Sequence, residues 1–171
     1  MKILNIIQGE YAVSADREVG MSTVLGSCIA ACVFDGEMQI GGMNHFLLPE
    51  PAAGDAGRNV KYGAYLMELL VNDLLKSGAS RGRLCAKLYG GSQMHASFGT
   101  VGERNIEFVR KYLVSDGITI GAENVGGCSS RRITFYPTTG KVELKRGFDS
   151  IDDVFIDTGA VRSRRSDVLI F

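Results

Sequence analysis

The sequence predicts an α/β fold, a layered sandwich of mixed or antiparallel β-sheet with flanking helices. The chain has eight short runs rich in valine, isoleucine and leucine, which are typical of strands, and two stretches with helical periodicity. Successive strand-like runs often have no helix between them, which favours a mixed sandwich over a doubly wound parallel sheet. The 22 glycines fall between the apolar runs, where turns are expected.

The predicted strands are short apolar segments. In chain order they cover residues 3–7, 22–25, 29–34, 38–48, 84–88, 118–123, 132–136 and 141–145. The last two are joined through Thr138-Thr139-Gly140, and glycine tolerates the positive φ that a tight turn requires. We therefore expect these two strands to form a β-hairpin.

Two segments have the three- and four-residue spacing of apolar residues that is typical of an amphipathic helix. The first covers residues 62–74, and Gly78 provides a stop signal. The second covers residues 106–113 and ends before Gly117. Glu103 lies where this second helix begins, and its negative charge complements the helix dipole.

The chain has the size and composition of one folded domain. It has 171 residues, of which 45% are hydrophobic and 22% are charged. The 19 basic and 19 acidic residues cancel, so no global positive field attracts nucleic acid. No apolar run approaches the roughly 18 residues of a membrane span, and the first residues lack the pattern of a signal peptide. We expect a cytoplasmic protein that is not inserted in the membrane and does not bind nucleic acid.

The last part of the chain differs in composition from the rest. After residue 146 an acidic stretch is followed by arginines and then by the apolar residues Val168-Leu169-Ile170-Phe171. We interpret residues 1–146 as the functional domain and residues 147–171 as an appendage. The appendage is expected to be either a partly ordered tail or a strand added to a sheet edge.

The four cysteines, at positions 28, 32, 85 and 128, are expected to be reduced thiols in a cytoplasmic protein. Zinc sites generally need four nitrogen or sulfur ligands in paired clusters. The spacing provides no second close pair beside Cys28 and Cys32, and only His45 and His95 could complete a site. We therefore predict that the chain uses no metal and no other cofactor.

The most informative segment is Leu25-Gly26-Ser27-Cys28, where a strand-like run is interrupted just before a cysteine. Gly26 allows a sharp turn, and the small Ser27 leaves room for a substrate to approach. Such a turn can present the Cys28 sulfur and the nearby backbone N–H groups to one carbonyl. This arrangement is typical of an acyl-transfer nucleophile with an oxyanion site around Gly26 and Ser27.

The second candidate is His45, which follows Gly41-Gly42 within an apolar strand. A cysteine or a histidine in such a setting is, by itself, more often a buried core residue than a catalyst. Together the two side chains have a chemistry that neither has alone. An imidazole can take the proton of a thiol that is mostly protonated at pH 7 and later protonate the leaving group.

Six segments of the chain form a pattern when they are considered together. They are Gly-Glu-Tyr-Ala-Val at 9–13, Leu-Gly-Ser-Cys at 25–28, Gly-Gly-Met-Asn-His-Phe-Leu-Leu-Pro at 41–49, Lys-Leu-Tyr-Gly-Gly at 87–91, Gly-Glu-Arg-Asn at 102–105 and Thr-Gly-Lys-Val at 139–142. In this order they resemble the CheD family of bacterial and archaeal chemoreceptor glutamine deamidases. The resemblance extends to about residue 146, so residues 1–146 are expected to be a CheD-like deamidase domain.

The resemblance implies a hydrolase that converts glutamine side chains of methyl-accepting chemotaxis receptors into glutamate and releases ammonia. By family likeness Cys28 is the nucleophile and His45 is the general base. The family also has a hydroxyl residue that orients the histidine, often a threonine six positions before the cysteine. Ser22 has that position here and shares the strand parity of Cys28, so we favour Ser22 and keep Thr23 as the alternative.

Two further classes of function are alternatives to an enzyme. The resemblance also implies a complex with a CheC-type phosphatase of the chemotaxis phospho-relay, so the chain could be a non-enzymatic regulatory partner of such a phosphatase. The third hypothesis is a structural or adaptor module with buried cysteines. A Cys28→Ala variant distinguishes the first two, because partner binding survives loss of the thiol. In an adaptor, Cys28 would resist alkylation until the protein unfolds.

Overall fold

The computed structural model describes the backbone of residues 1–48, 56–94, 100–147 and 168–170, and the side chains of residues 1–48, 62–94 and 100–147. This part of the chain forms two five-stranded β-sheets and two α-helices. The first sheet packs on one face of the second sheet, and the helices pack on the other face. The predicted α/β layered sandwich is therefore confirmed.

The elements follow one another in the order strand, strand, strand, strand, strand, helix, strand, helix, and then four strands. The strands are β1 (Lys2–Asn5), β2 (Tyr11–Ser14), β3 (Val19–Leu25), β4 (Ile29–Asp35), β5 (Ile40–Phe46), β6 (Cys85–Gly90), β7 (Thr119–Val125), β8 (Arg131–Tyr136), β9 (Lys141–Arg146) and β10 (Val168–Ile170). The helices are α1 (Ala56–Lys76) and α2 (Val101–Ser115), with a short 3₁₀ turn at Arg81–Arg83.

Both sheets are mixed. The strand order is β1-β3-β8-β9-β10 in the first sheet and β2-β5-β4-β6-β7 in the second. The β1–β3 and β6–β7 pairs are parallel, and the other neighbouring pairs are antiparallel. The central strand β4 is covered on both faces, which explains its nearly continuous apolar sequence.

The apolar side chains form two cores, one on each face of the second sheet. The core between the sheets includes Met21, Leu25, Met43, Tyr89, Phe135 and Leu144. The core beneath the helices includes Phe46, Leu66, Leu70, Leu74, Leu88, Val109 and Leu113. Residues that alternate along β3 and β5 therefore face different layers, and this alternation decides which polar side chains enter the space between the sheets.

The two glycines before His45 allow both neighbouring layers to approach β5 closely. A Cβ atom on Gly42 would lie 2.6 Å from Leu70 Cδ1 of α1, and one on Gly41 would lie 3.0 Å from Phe135 of the first sheet. Real Cβ contacts are longer than these distances. The Gly41-Gly42 pair is thus explained by packing, and it fixes the strand that carries His45.

The strands and helices predicted from the sequence are present, with shifted ends. Both helices begin earlier than expected, and the predicted strand over residues 38–48 is limited to Ile40–Phe46. The predicted hairpin is confirmed, since Gly140 has a φ of +71° and donates a 2.9 Å hydrogen bond to the carbonyl of Tyr136. Strand β2 was not predicted.

Two further expectations concern the termini and the membrane. Val168–Ile170 pairs antiparallel with β9 at the edge of the first sheet, and the remainder of the appendage from residue 148 lies outside the described residues. Among the described helices, none combines the length and apolarity needed to cross a membrane.

Candidate active site

Cys28 lies in the bend that connects β3 to β4, at the end of the space between the two sheets. The side chain is half-buried and packs against the core between the sheets. Burial raises the pKa of the Cys28 thiol to about 11, although its own backbone N–H lies close enough to the sulfur to oppose this shift. In this structure the thiol is therefore neutral at pH 7.

The bend is held in place through three consecutive carbonyl groups. The N–H of Ser92 donates a 2.8 Å hydrogen bond to the carbonyl of Gly26, and the N–H of Gly91 donates a 2.7 Å hydrogen bond to the carbonyl of Cys28. Between them, Asn105 Nδ2 donates a 2.8 Å hydrogen bond to the carbonyl of Ser27. Because all three carbonyls are engaged by the protein, the orientation of the peptide groups around Cys28 is fixed.

The end of β6 can approach the bend only because it contains glycine. A Cβ atom on Gly90 would lie 2.1 Å from the carbonyl oxygen of Cys28, and the φ of Gly90 is +106°. Both the contact and the backbone conformation exclude other residue types. This explains the first glycine of the Lys-Leu-Tyr-Gly-Gly motif at 87–91, which is the last residue of β6.

A buried arginine, Arg131, supports the segment that contains Ser92. Arg131 is 4% exposed and contacts Ser92 Oγ, and its Nε donates a 2.7 Å hydrogen bond to Asn124 Oδ1. Its Nη2 donates a 2.5 Å hydrogen bond to the carbonyl of Gly126. Burial lowers the pKa of Arg131 to about 10, so the guanidinium remains charged at neutral pH. The network extends to the Cys28 bend through Ser92.

His45 lies near the end of β5 and points between the two sheets, on the same face as Met43. It is only 6% exposed. Its Nδ1 lies 2.8 Å from Thr23 Oγ1 and 3.4 Å from the carbonyl oxygen of Ile6. Its Nε2 is buried and has no hydrogen-bond partner among the described residues. The hydrogen-bonding capacity of this nitrogen is therefore not used by any described residue.

The contacts of Nδ1 favour one tautomer of the imidazole. The carbonyl of Ile6 can only accept a hydrogen bond, so its contact is favourable only when Nδ1 carries the hydrogen. Nε2 then has a free electron pair and can act as a base. Burial lowers the pKa of His45 below its usual value of 6.5, which keeps the ring neutral at pH 7.

The hydroxyl group beside the imidazole is that of Thr23, whereas Ser22 is on the other face of β3. Thr23 shares its face with the buried residues Met21 and Leu25, so it points between the sheets. Ser22 Oγ donates a 2.8 Å hydrogen bond to the carbonyl of Ile133. The preference for Ser22 depended on strand parity counted from Cys28, and the Gly26-Ser27 bend interrupts that count.

Cys28 and His45 lie at the same end of the second sheet. The register of β4 and β5 places Ala30 opposite His45, two residues after Cys28. The segment that follows β1 connects the two residues: Gln8 Oε1 accepts a 3.6 Å hydrogen bond from Cys28 Sγ, and the N–H of Gly9 donates a 2.8 Å hydrogen bond to the carbonyl of His45. The two candidate residues thus flank the same segment, and no hydrogen bond joins the Cys28 thiol to His45 Nε2.

An open cavity of about 440 Å³ lies beside this segment. Its lining residues include Gln8, Thr23, His45 and Arg132. The cavity is large enough for an extended amide side chain and gives access to the edge of β3 beyond the end of β1. His45 lines this cavity, and Cys28 contacts the lining residue Gln8. A neutral thiol and a neutral imidazole can together perform nucleophilic attack with general-base assistance.

The other candidates from the sequence do not join this site. Cys32 is fully buried in the core between the sheets, and Cys128 is exposed on a loop. His95 lies outside the described residues. No cluster of three or more metal-ligating side chains is present in the described part of the chain. Glu103 is in the first turn of α2, as the sequence predicts.

Sequence reasoning missed two residues that contact the bend, Gln8 and Asn105. Asn105 is fully buried, and it precedes the buried residue Val109 by one helical turn. An asparagine on the apolar face of a predicted helix was thus an available signal, because a buried amide requires hydrogen-bond partners. Gln8 has no comparable signal, since it is exposed and reaches Cys28 only through the tertiary fold.

Comparisons with a family model and with known proteins identify the same family. The model of the family described as CheD chemotactic sensory transduction matches residues 47–146. A protein of Zymomonas mobilis named probable chemoreceptor glutamine deamidase CheD is 49% identical over 141 residues, which cover 81% of this chain and 77% of that protein. A protein of Caulobacter vibrioides with the same name is 49% identical over 145 residues, covering 83% and 76%.

A comparison with solved structures identifies a more distant similarity. The crystal structure of the Bacillus licheniformis hypothetical protein YfiH matches 69% of this chain with a TM-score of 0.48 and 12% sequence identity. The match covers 51% of that structure, so this chain spans about half of its length.

Proposed function

This chain belongs to the CheD family, and from that premise we propose that it is a protein-glutamine deamidase that converts glutamine side chains of chemoreceptors into glutamate and ammonia. The observation that carries the proposal is the buried Thr23–His45 contact of 2.8 Å, which leaves the other imidazole nitrogen free at the site of Cys28. The two relatives that are 49% identical to this chain are both named probable chemoreceptor glutamine deamidase.

In the first half of the proposed reaction the enzyme is acylated. His45 Nε2 takes the proton of the Cys28 thiol while the sulfur attacks the carbon of the glutamine side-chain amide. The carbonyl electron pair moves to the oxygen, and backbone N–H groups at Ser27 and Cys28, next to Gly26, stabilise the oxyanion. When the carbon–nitrogen bond breaks, His45 gives its proton to the nitrogen, and ammonia leaves a thioester on Cys28.

In the second half water releases the product. His45 takes a proton from a water molecule whose oxygen attacks the thioester carbon, and the carbon–sulfur bond breaks. The thiolate regains its proton from His45, and the substrate side chain leaves as glutamate. Thr23 and the carbonyl of Ile6 keep Nδ1 in place during both steps, so Nε2 remains the nitrogen that moves protons.

The electrostatics of the site support attack by a neutral pair. Burial raises the pKa of Cys28 and lowers that of His45, so the free enzyme holds a thiol and a neutral imidazole and not an ion pair. Proton transfer therefore accompanies attack on the substrate. Such a thiol is protected from adventitious oxidation and alkylation, because the thiolate is the reactive form.

The proposed substrate is a methyl-accepting chemotaxis receptor, and the reaction would occur in the cytoplasm. A glutamine presented from a helix needs an open site that accepts one side chain. The cavity beside His45 is open to solvent and has a volume of about 440 Å³, which fits this requirement. Arg132 and Gln8 at its border are the first candidates for contacts with the substrate backbone.

The decisive experiment is mass spectrometry of a chemoreceptor cytoplasmic fragment after incubation with the protein. Each deamidation adds about 1 Da because a hydroxyl group replaces an amino group. We expect conversion by the wild-type protein and by Cys128→Ser, and none by Cys28→Ser or His45→Ala in folded form. Undiminished conversion by Cys28→Ser would contradict the proposal. Absence of conversion by the wild type would favour the alternative, a regulatory partner of a CheC-type phosphatase.

A further inference from the structure

We propose that Gln8 is a catalytic residue that donates a hydrogen bond from its side-chain Nε2 to the oxyanion formed at Cys28. The inference rests on the proposed function, because it concerns the tetrahedral intermediate of that reaction. It adds a side-chain donor to the backbone N–H groups of the bend. The observations that support it are the contact of Gln8 with the sulfur, its fixed backbone and its place at the cavity.

The side-chain amide of Gln8 touches the nucleophile from the solvent side. Gln8 Oε1 lies 3.6 Å from Cys28 Sγ and accepts the hydrogen bond of the thiol. Gln8 is exposed and also lines the cavity that contains Thr23 and His45. Its amide therefore lies between the sulfur and the cavity from which a substrate would approach.

The backbone of Gln8 is fixed by hydrogen bonds on both sides. The N–H of Ile6 donates a 2.9 Å hydrogen bond to the carbonyl of Ser22, and the N–H of Gly9 donates a 2.8 Å hydrogen bond to the carbonyl of His45. The φ of Gly9 is +89°, and a Cβ atom there would lie 3.2 Å from Tyr62 Oη. An anchored backbone position limits the region that the Gln8 side chain can reach and keeps its amide near Cys28.

The chemistry of the site can use such a donor. An oxyanion oxygen can accept up to three hydrogen bonds, so a side-chain donor can act together with the backbone N–H groups of Ser27 and Cys28. In the resting state the thiol hydrogen points to Gln8 Oε1. Once that hydrogen has moved to His45, the terminal torsion of Gln8 turns by half a rotation and directs Nε2 to the reacting oxygen. A side-chain amide can do this without adding a charge next to the buried thiol.

Two reactions of Cys28 separate the proposed role from a structural one. Acylation by p-nitrophenyl acetate passes through an oxyanion, whereas alkylation by iodoacetamide displaces iodide at a saturated carbon and forms none. Both are measured in a Cys128→Ser background, because that exposed thiol would add to the signal, and Cys28→Ala in this background gives the residual rate. The test variant is Gln8→Met, which keeps the length of the side chain and its neutrality but removes the donor.

We expect Gln8→Met to slow acylation about 10²- to 10³-fold, the usual effect of removing one oxyanion donor, and to leave the alkylation rate unchanged. Receptor deamidation should fall with acylation, through kcat and not through KM. Gln8→Asn, which restores a donor on a shorter side chain, should recover part of the acylation rate.

Three results would overturn the inference. One is an equal loss in acylation and alkylation, which would mean that Gln8 only tunes the thiol. Another is unchanged acylation in Gln8→Met. The third is an increase of about 1 Da at residue 8 of the wild-type protein, which would make Gln8 a substrate of Cys28 and not a donor. If the wild type is acylated with the expected dependence on Gln8 but does not deamidate receptors, the proposed function fails and the role of Gln8 stands.

Discussion

Asn105 of α2 connects the bend at Cys28 to the segment that follows His45. Its Nδ2 donates a 2.8 Å hydrogen bond to the carbonyl of Ser27, and its Oδ1 accepts a 3.0 Å hydrogen bond from the N–H of Leu48. The side chain is fully buried. One amide therefore sets the separation of the two chain segments that carry the proposed nucleophile and base.

Replacement of Asn105 by alanine is expected to lower both stability and activity. The substitution leaves the partly buried carbonyl of Ser27 and the buried N–H of Leu48 without partners, and an unsatisfied buried group costs about 1–3 kcal/mol. We expect the free energy of unfolding in urea to fall by about 2–4 kcal/mol, and the deamidation rate to fall in the folded fraction as well. Glu107→Ala, at an exposed position of the same helix, is the control and should change neither quantity.

Gly90, the last residue of β6, offers a test of how tightly the Cys28 bend is held. Gly90→Ala would place a methyl group 2.1 Å from the carbonyl oxygen of Cys28 and would also strain a φ of +106°. We expect loss of deamidation even where circular dichroism shows a folded protein. Gly126→Ala also has a positive φ of +76° but has open space for its Cβ, so it isolates the backbone strain. Equal effects of the two variants would contradict the importance of the contact.

Asp35 is expected to stabilise the fold in a pH-dependent way. It is fully buried, and it accepts hydrogen bonds from Arg83 Nη2 at 2.9 Å and from the N–H of Ser80 at 2.9 Å. The hydrogen bond from Arg83 is the main reason why the pKa of Asp35 is lowered from 3.8 to about 2. Because the folded pKa lies below the unfolded one, the stabilisation is complete above about pH 4 and is lost as the pH falls through 2.

Chemical denaturation of Asp35→Asn between pH 2 and pH 7 measures this effect. At pH 7 we expect the variant to lose about 2 kcal/mol, because Arg83 is left without its buried partner. The difference from the wild type should decrease below pH 4. Glu37→Gln is the control, since Glu37 contacts the same arginine but is 77% exposed and should have little effect. A difference that is independent of pH would show that the carboxylate charge has no role.

Much of the fold could be predicted because the apolar periodicity of each element is local. Strand β2 was missed because Tyr11–Ser14 is only partly buried and has no alternation, and the strand is specified by its pairing with β5. The nucleophile and base candidates were identified from short motifs. Their supporting contacts are not local: Gln8 reaches Cys28 across 20 positions, and Asn105 reaches Ser27 across 78.

The choice between Ser22 and Thr23 shows where local reasoning fails. The residues that place Thr23 beside His45 could be recognised in the sequence, since Met21 and Leu25 define the inward face of β3 and Thr23 lies between them. Counting from Cys28 gave the opposite face, because the bend at Gly26 and Ser27 separates the cysteine from the strand. Parity is informative only within one unbroken strand.

The pH dependence of the site distinguishes a neutral pair from a preformed ion pair. Burial raises the pKa of Cys28 to about 11, so the rate of its alkylation by iodoacetamide should rise about tenfold per pH unit up to that value. Deamidation should instead be constant through neutral pH. It should decrease in acid as His45 is protonated, at a pH below 6.5 because burial lowers its pKa. An alkylation rate that is already maximal at pH 7 would indicate an ion pair.

The contact between Thr23 and His45 leads to the final prediction. Thr23→Val keeps the shape and burial of the side chain but removes the hydroxyl group that lies 2.8 Å from Nδ1. Only the 3.4 Å contact with the carbonyl of Ile6 would then orient the ring. We expect kcat to fall on the order of 10²-fold, the usual effect of a misplaced catalytic group, with little change in KM. Thr23→Ser should retain most of the activity.

Ser22→Ala is the matched control for the two Thr23 variants. Ser22 is the neighbouring hydroxyl residue, its side chain is on the opposite face of β3, and it donates a hydrogen bond to the carbonyl of Ile133. Its loss removes an exposed-face hydrogen bond and should cost about 1 kcal/mol of stability with no loss of kcat. The reverse result, in which Ser22→Ala is inactive and Thr23→Val is active, would require β3 to present its other face to His45 during catalysis. That would be incompatible with the burial of Met21 and Leu25, because a strand cannot turn one residue inward without exposing its neighbours.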